Sequence, residues 1–193
     1  MCSSDLLYQL LIWLVKEGTF TSNFIYMYTY GGYLFFDFAG YSLMAVGVGY
    51  IFGVRLPDNF RRPFLATDMK DFWDRWHISL SYWFRDFLFS RFMMKAIKGK
   101  WFKNKLTSAS IGFIINMGVM GVWHGLDLQY ILYGLYHGVL LAITEVYQKK
   151  SKFYKKHKKD KIYKLVSWFI TVNLVFFGFL IFSGKFGELF LGK

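Results

Sequence analysis

Four places in this 193-residue sequence put an ionisable side chain among apolar neighbours. His124 stands in Gly121-Val122-Trp123-His124-Gly125, between glycines that let a backbone or a ligand come close. An imidazole titrates near neutrality, so His124 could take a proton from a hydroxyl and pass it on. His77 lies one helical turn after Trp73 and one turn before Ser81. Arg85 and Asp86 are adjacent opposite charges, able to hold an anionic head group or to pair with other charges. Asp37 is the single charge between Asn23 and Val54. Each has a bland alternative. The histidines could be satisfied core or interfacial residues, Arg85-Asp86 a structural pair, and Asp37 a partner for broken helix backbone. His137, in the middle of an apolar segment, reads as a packing or bonding residue, and His157, inside a lysine tract, reads as solvated.

The surroundings of these residues read as membrane helices. The chain is 55% hydrophobic and 23% aromatic, above the usual 45–50% apolar content of a globular domain. Its formal net charge of +12 would suggest nucleic acid in a soluble protein. The charge is concentrated instead. Residues 91–105 hold +6 and residues 149–164 hold +8, with apolar stretches before, between and after them. That distribution fits basic loops on one side of a membrane, and no nucleic-acid motif accompanies the lysines. Cys2 is alone, so no internal disulfide, zinc cluster or CxxC pair can form.

The run from Asn23 to Val54 exceeds one perpendicular span, which predicts a tilted helix or one broken near Gly31-Gly32 or Gly40. A proline-punctuated connector, Arg55 to Phe64, follows. Thr67 or Asp68 then caps a helix whose Trp73, Trp76, Leu80, Trp83 or Phe84, and Phe87 recur every three to four residues. Its charges, Asp71, Asp74, Arg75, Arg85 and Asp86, place it at the interface or in a protein-lined cavity. Apolar segments follow at 107–122, 129–147 and 162–182. Two of them separate the basic loops, so both loops can face the cytoplasm, with the C-terminus outside. Leu6 to Val15 is too short to span and lacks the features of a signal peptide, so it reads as the remnant of a longer segment.

Two stretches carry a resemblance. Asn59-Phe60-Arg61-Arg62-Pro63-Phe64-Leu65 is followed by Met69-Lys70-Asp71-Phe72-Trp73-Asp74-Arg75-Trp76-His77-Ile78-Ser79-Leu80-Ser81. With Trp83-Phe84-Arg85-Asp86-Phe87, Trp123-His124-Gly125 and Gly134-Leu135-Tyr136-His137-Gly138, the order resembles the membrane-bound O-acyltransferase (MBOAT) family. Within it the D-alanyl-transferring branch is the most similar. The likeness covers residues 22–185; residues 1–5 match nothing in the family.

The resemblance implies an all-α, polytopic integral membrane protein. Its fold would be an MBOAT-type ring of transmembrane helices with an interfacial aromatic helix, incomplete at the N-terminus. Residues 1–193 would form a single membrane domain, the C-terminal part of a fold about twice as long, inactive alone. His124 and His77 would be the catalytic positions; Trp76, Trp123, Arg85, Asp86 and Asp37 stand beside them as the residues' own candidates for binding substrate. The donor would be D-alanine held as a thioester on the phosphopantetheine arm of an acidic carrier protein, and the chain itself would bind no cofactor or metal. Lys98, Lys100, Lys103 and Lys105 would dock that carrier by charge complementarity. The acceptor would be lipoteichoic acid, with a small single-span accessory protein and membrane lipids as further partners. The setting would be a bacterial, Gram-positive cell membrane. Two alternatives remain: an alginate-type polysaccharide O-acetyltransferase, and a membrane transport or channel subunit using the histidines and Asp37 as a path.

Overall fold

The computed structural model describes residues 6, 9–13 and 19–191, and among them every regular element is helical. The expectation for residues 1–5 lies outside the described residues. Helix α1 (Phe20–Ile51) is uninterrupted across Gly31-Gly32 and Gly40, so the predicted break is absent. At 32 residues it is roughly 48 Å long, well beyond a hydrocarbon core of about 30 Å. Thr19 caps it by accepting from the Ser22 N–H. The long helices α5 (Lys105–His124), α6 (Leu128–Lys150) and α8 (Lys161–Phe182) follow the irregular region. Three helices among the described residues, α1, α5 and α8, are long and apolar enough to cross a membrane.

Helices α5 and α6 form an antiparallel hairpin through a three-residue turn at 125–127. Their backbones touch because facing positions carry no side chain: a Cβ on Gly134 would strike the Met117 carbonyl, and one on Gly121 the Tyr130 carbonyl. The hairpin returns the chain to the end it left, so both basic segments lie at that end. Helix α8 packs against α6 and α1, carrying Phe182 back to His124. A six-residue helix, α7 (Lys152–His157), joins α6 to α8.

The predicted single helix from Thr67 to Phe87 is several pieces: α2 (Met69–Trp73), α3 (Ile78–Phe84), a π-turn at Arg85–Phe89, and α4 (Ser90–Lys98). Asp68 is the N-cap of α2, its carboxylate accepting from the Lys70 and Asp71 N–H groups at 2.9 and 3.0 Å. Phe72 and Trp73 point into the core, so α2 sits inside protein rather than among headgroups. The periodicity was real, but it is shared by pieces with different axes. Around Trp76 the core is aromatic, with ring centroids 5.0 Å from Phe60, 5.1 Å from Phe179 and 5.6 Å from Phe72. Such pairs contribute roughly 0.5–1.5 kcal/mol each beyond area burial.

Candidate active site

The break between α2 and α3 has a cause in the connector. Phe60 and Trp76 form an isolated antiparallel bridge, and the Arg61 N–H donates to the Arg75 carbonyl at 3.0 Å. The Ile78 N–H donates to the Asn59 carbonyl at 3.0 Å, and the Asn59 side chain accepts from Ser79 Oγ at 2.6 Å. Asn59 Nδ2 donates to Ser42 Oγ of α1 at 3.0 Å, fixing the connector to the long helix. Held between these bonds, His77 adopts left-handed backbone angles, φ 44° and ψ 53°. For a residue with a Cβ this costs about 1–2 kcal/mol, and the surrounding bonds hold it there.

The imidazole of His77 packs edge-on against Phe38 of α1, with centroids 4.6 Å apart. Its Nδ1 is buried and has no partner among the described residues. Burial pushes the imidazole down to about 4, and nearby His124 adds a smaller push in the same direction. His77 is therefore neutral at physiological pH, with one ring nitrogen able to donate and the other to accept.

His124 closes α5 and is partly buried. Trp123 lies 4.9 Å away, Phe182 of α8 5.3 Å and Tyr130 of α6 6.4 Å, by ring centroids. Apolar rings thus wall an imidazole whose nitrogens remain free of protein hydrogen bonds among the described residues. That is the arrangement a general base requires: positioned by packing, with lone pair and N–H left for substrate.

Residues of α3, the π-turn and α5 line a cavity of about 270 Å³, α5 packing against the π-turn. Ser81 and Arg85 lie four and eight residues beyond His77, and Met120 and Asn116 four and eight before His124. All four line the cavity with Lys70, Trp73 and Asp74. Four residues along a helix span roughly 6 Å, so the cavity begins about one turn from the histidines. Asn116 is 7% exposed, and its amide oxygen has no hydrogen-bond partner among the described residues. Sequence reasoning passed over it, although a lone carboxamide in an apolar run was a signal. Lys70 also went unnoticed; it pairs with Glu145 of α6, bonds Gln148 Oε1 at 3.2 Å and reaches the cavity rim.

The remaining predicted residues scatter. Arg85 stacks over the Tyr82 ring at 4.0 Å and pairs with Asp86 at 3.3 Å and Asp74 at 3.7 Å, all exposed. Trp123 is 58% exposed beside His124, open to a ligand. Trp76 is 5% exposed and enclosed by phenylalanines in the core beside His77. Asp37 sits on the exposed face of α1, and with that helix unbroken there is no interrupted backbone for it to satisfy. Lys98, Lys100, Lys103 and Lys105 are exposed around the turn from α4 to α5.

Comparison with known proteins gives a family. The model of the MBOAT, membrane-bound O-acyltransferase, family matches residues 8–184. A teichoic acid D-alanyltransferase of Bacillus subtilis is 50% identical over 171 residues, covering 89% of this chain and 43% of that protein. The Streptococcus thermophilus protein of the same name is 46% identical over 86% of this chain and 42% of its own length. A probable alginate O-acetylase of Pseudomonas syringae is 35% identical over 81% of this chain and 27% of its own. The chain thus spans about two fifths of the length of the D-alanyltransferase relatives it matches. Two histidines held at helix ends beside an open cavity, in an all-helical membrane fold, agree with that match, and the chain belongs to the membrane-bound O-acyltransferase family.

Proposed function

We propose that this chain carries the histidine-bearing part of a D-alanyl O-acyltransferase. In this reading D-alanine moves from a carrier-protein thioester to a hydroxyl of lipoteichoic acid. The observation that carries it is the approach of partly buried, unbonded His124 to neutral His77, about one helical turn from the Arg85–Asn116 cavity. The 50% and 46% identities to teichoic acid D-alanyltransferases favour D-alanyl over acetyl transfer, since the alginate relative stands at 35%.

His124 removes the proton from the acceptor hydroxyl as the oxygen attacks the thioester carbonyl carbon. The tetrahedral intermediate collapses with cleavage of the carbon–sulfur bond. The departing thiolate takes the proton back from His124, leaving an ester and a free thiol. Neutral His77 beside it orients a reacting group by hydrogen bonding, and Trp123 covers the acceptor. The phosphopantetheine arm enters through the cavity, past Arg85 and Ser81, with the Asn116 amide supplying a polar partner. Its acidic carrier docks on Lys98, Lys100, Lys103 and Lys105, on the cytoplasmic face of a bacterial, multi-pass membrane protein. Helices α1, α5, α6 and α8 form one side of the ring, and the chain by itself is inactive.

The test supplies the N-terminal portion of the Bacillus subtilis relative ahead of this chain, with a carrier protein bearing radiolabelled D-alanine. Label should pass to lipoteichoic acid. Transfer of acetyl groups to a polysaccharide, with no D-alanyl transfer, would overturn the reading. Changing the four docking lysines to Gln should weaken carrier binding and flatten its salt dependence. Unchanged binding would remove them as a dock. Transfer by residues 1–193 unaided would refute the statement that the chain alone is inactive.

A further inference from the structure

The second basic segment does something the first does not: it folds around a groove. Between the end of α6, helix α7 and the first half of α8 lies a cavity of about 1140 Å³, open along one side. Its floor is apolar. Ile162, Val166, Ile170 and Leu174 line it at four-residue spacing on α8, faced by Ile143 of α6. That stripe is roughly 18 Å long, close to the depth of one bilayer leaflet, about 15 Å. Ile162, Val166, Ile170 and Ile143 are all at least half exposed, a surface suited to hydrocarbon.

The polar end of the groove has the opposite chemistry. Lys158, Lys161 and Lys164 line it, and among the described residues none of them has an ion-pair partner. Its two carboxylates are already engaged. Asp68 caps α2 and accepts from Gln148 Nε2 at 3.0 Å, while Asp160 holds His157 Nδ1 at 2.6 Å. Tyr147, Tyr154 and Tyr163 line the same end of the groove as the lysines, with ring centroids 5.7 Å apart for Tyr147 and Tyr154 and 6.2 Å for Tyr154 and Tyr163. Amphipathic aromatic rings at that level mark the membrane–water boundary. Unpaired cations and a tyrosine cluster therefore sit at one end of a groove whose leaflet-deep apolar track runs on along α8.

We propose that this groove binds one anionic phospholipid. Its phosphate sits among Lys158, Lys161 and Lys164, its glycerol region lies at the tyrosines, and an acyl chain lies along Ile162 to Leu174. Diffuse attraction between basic loops and an anionic leaflet treats all lysines alike. A site of this shape does not. Nor would inorganic phosphate use the apolar track, so the occupant is a lipid.

The full chain, placed in nanodiscs of phosphatidylcholine containing about a quarter phosphatidylglycerol, tests this by native mass spectrometry after mild detergent extraction. One phosphatidylglycerol should remain bound, and phosphatidylcholine should not. Joint replacement of Lys158, Lys161 and Lys164 by Gln should reduce retention about a hundredfold, whereas the same change at Lys98, Lys100 and Lys103 should leave it intact. Ile170→Trp, which fills the track without altering charge, should also abolish retention while helicity by circular dichroism is unchanged. Equal loss from both lysine sets, equal retention of both lipids, or no retained lipid because protein covers the groove would each overturn the proposal. These outcomes are independent of whether the chain transfers D-alanine.

Discussion

His124 and His137 sit on the two arms of one hairpin, yet only one of them reaches the protein surface. His137 is completely buried. The Trp73 indole N–H donates to its Nδ1 at 3.3 Å, and Tyr133 and Tyr136 flank the ring at 4.5 and 5.3 Å. Accepting at Nδ1 places its proton on Nε2, which lies against Gly178 of α8 without a hydrogen-bond partner among the described residues. His124, at the open end of the other arm, is walled by rings but bonded to none of its neighbours. The same side chain is locked as a packing element in one place and left available for proton transfer in the other. Burial and the bond from Trp73 separate the two.

The sharpest way to break this comparison is to remove each imidazole. With the N-terminal portion of the Bacillus subtilis relative supplied, His124→Ala should lower D-alanyl transfer about a thousandfold. Its thermal midpoint should stay close to that of the parent. Transfer within tenfold of the parent would remove His124 as the base. His137→Ala should do the reverse. It deletes a fully buried ring and strands the Trp73 indole N–H, at a cost of about 2–4 kcal/mol. Transfer per folded molecule should barely change. A denaturant series followed by tryptophan fluorescence reads the first quantity, and specific activity of the folded fraction the second. A His137→Ala protein of parental stability with no activity would collapse the distinction.

A finer version changes the neighbour and keeps the histidine. A Cβ at Gly178 would collide with His137 Nε2, so Gly178→Ala must push the ring or the helix. Overpacking of this kind costs about 1–3 kcal/mol. The effect should appear in stability and disappear in the background of His137→Ala, because the colliding atom is then gone. Equal destabilisation in both backgrounds would mean that α8, and not the imidazole, resists the methyl group.

How much of this could be read from the residues alone follows the same division. The long apolar helices were legible because hydropathy over about twenty residues is a strong local signal. A cap at Thr67 or Asp68 was legible for the same reason, since a cap is decided within four residues, and the structure takes Asp68. His77 and His124 stood out by motif. Their proximity did not, because it depends on α8 returning Phe182 to the α5 end and on α1 laying Phe38 against His77. The break after Trp73 was invisible to periodicity. It is produced by backbone bonds from Asn59 and Arg61, fourteen or more residues earlier in the chain. Trp76 stands out beside His77 in the sequence, but its bridge to Phe60 sets its ring in the aromatic core while His77 stays half-buried. Asn116 matters only through what faces it, which no local pattern records.

A different handle on the same contrast is His77 and acid. The folded chain holds this imidazole neutral until about pH 4, whereas an unfolded chain takes up the proton near 6.5. Between those values the unfolded state binds more protons, so stability must decline as the pH falls. The contribution is complete above about 6.5 and lost progressively down to about 4. His77→Gln keeps a polar group of similar size and removes this proton uptake. Melting curves of the parent and variant from pH 7.5 to 4 should therefore converge on acidification, the parent falling more steeply. Parallel curves would show that His77 titrates normally and is open to water. The pocket around His77 would then have to be wetter than its contacts with Phe38 and its buried Nδ1 indicate.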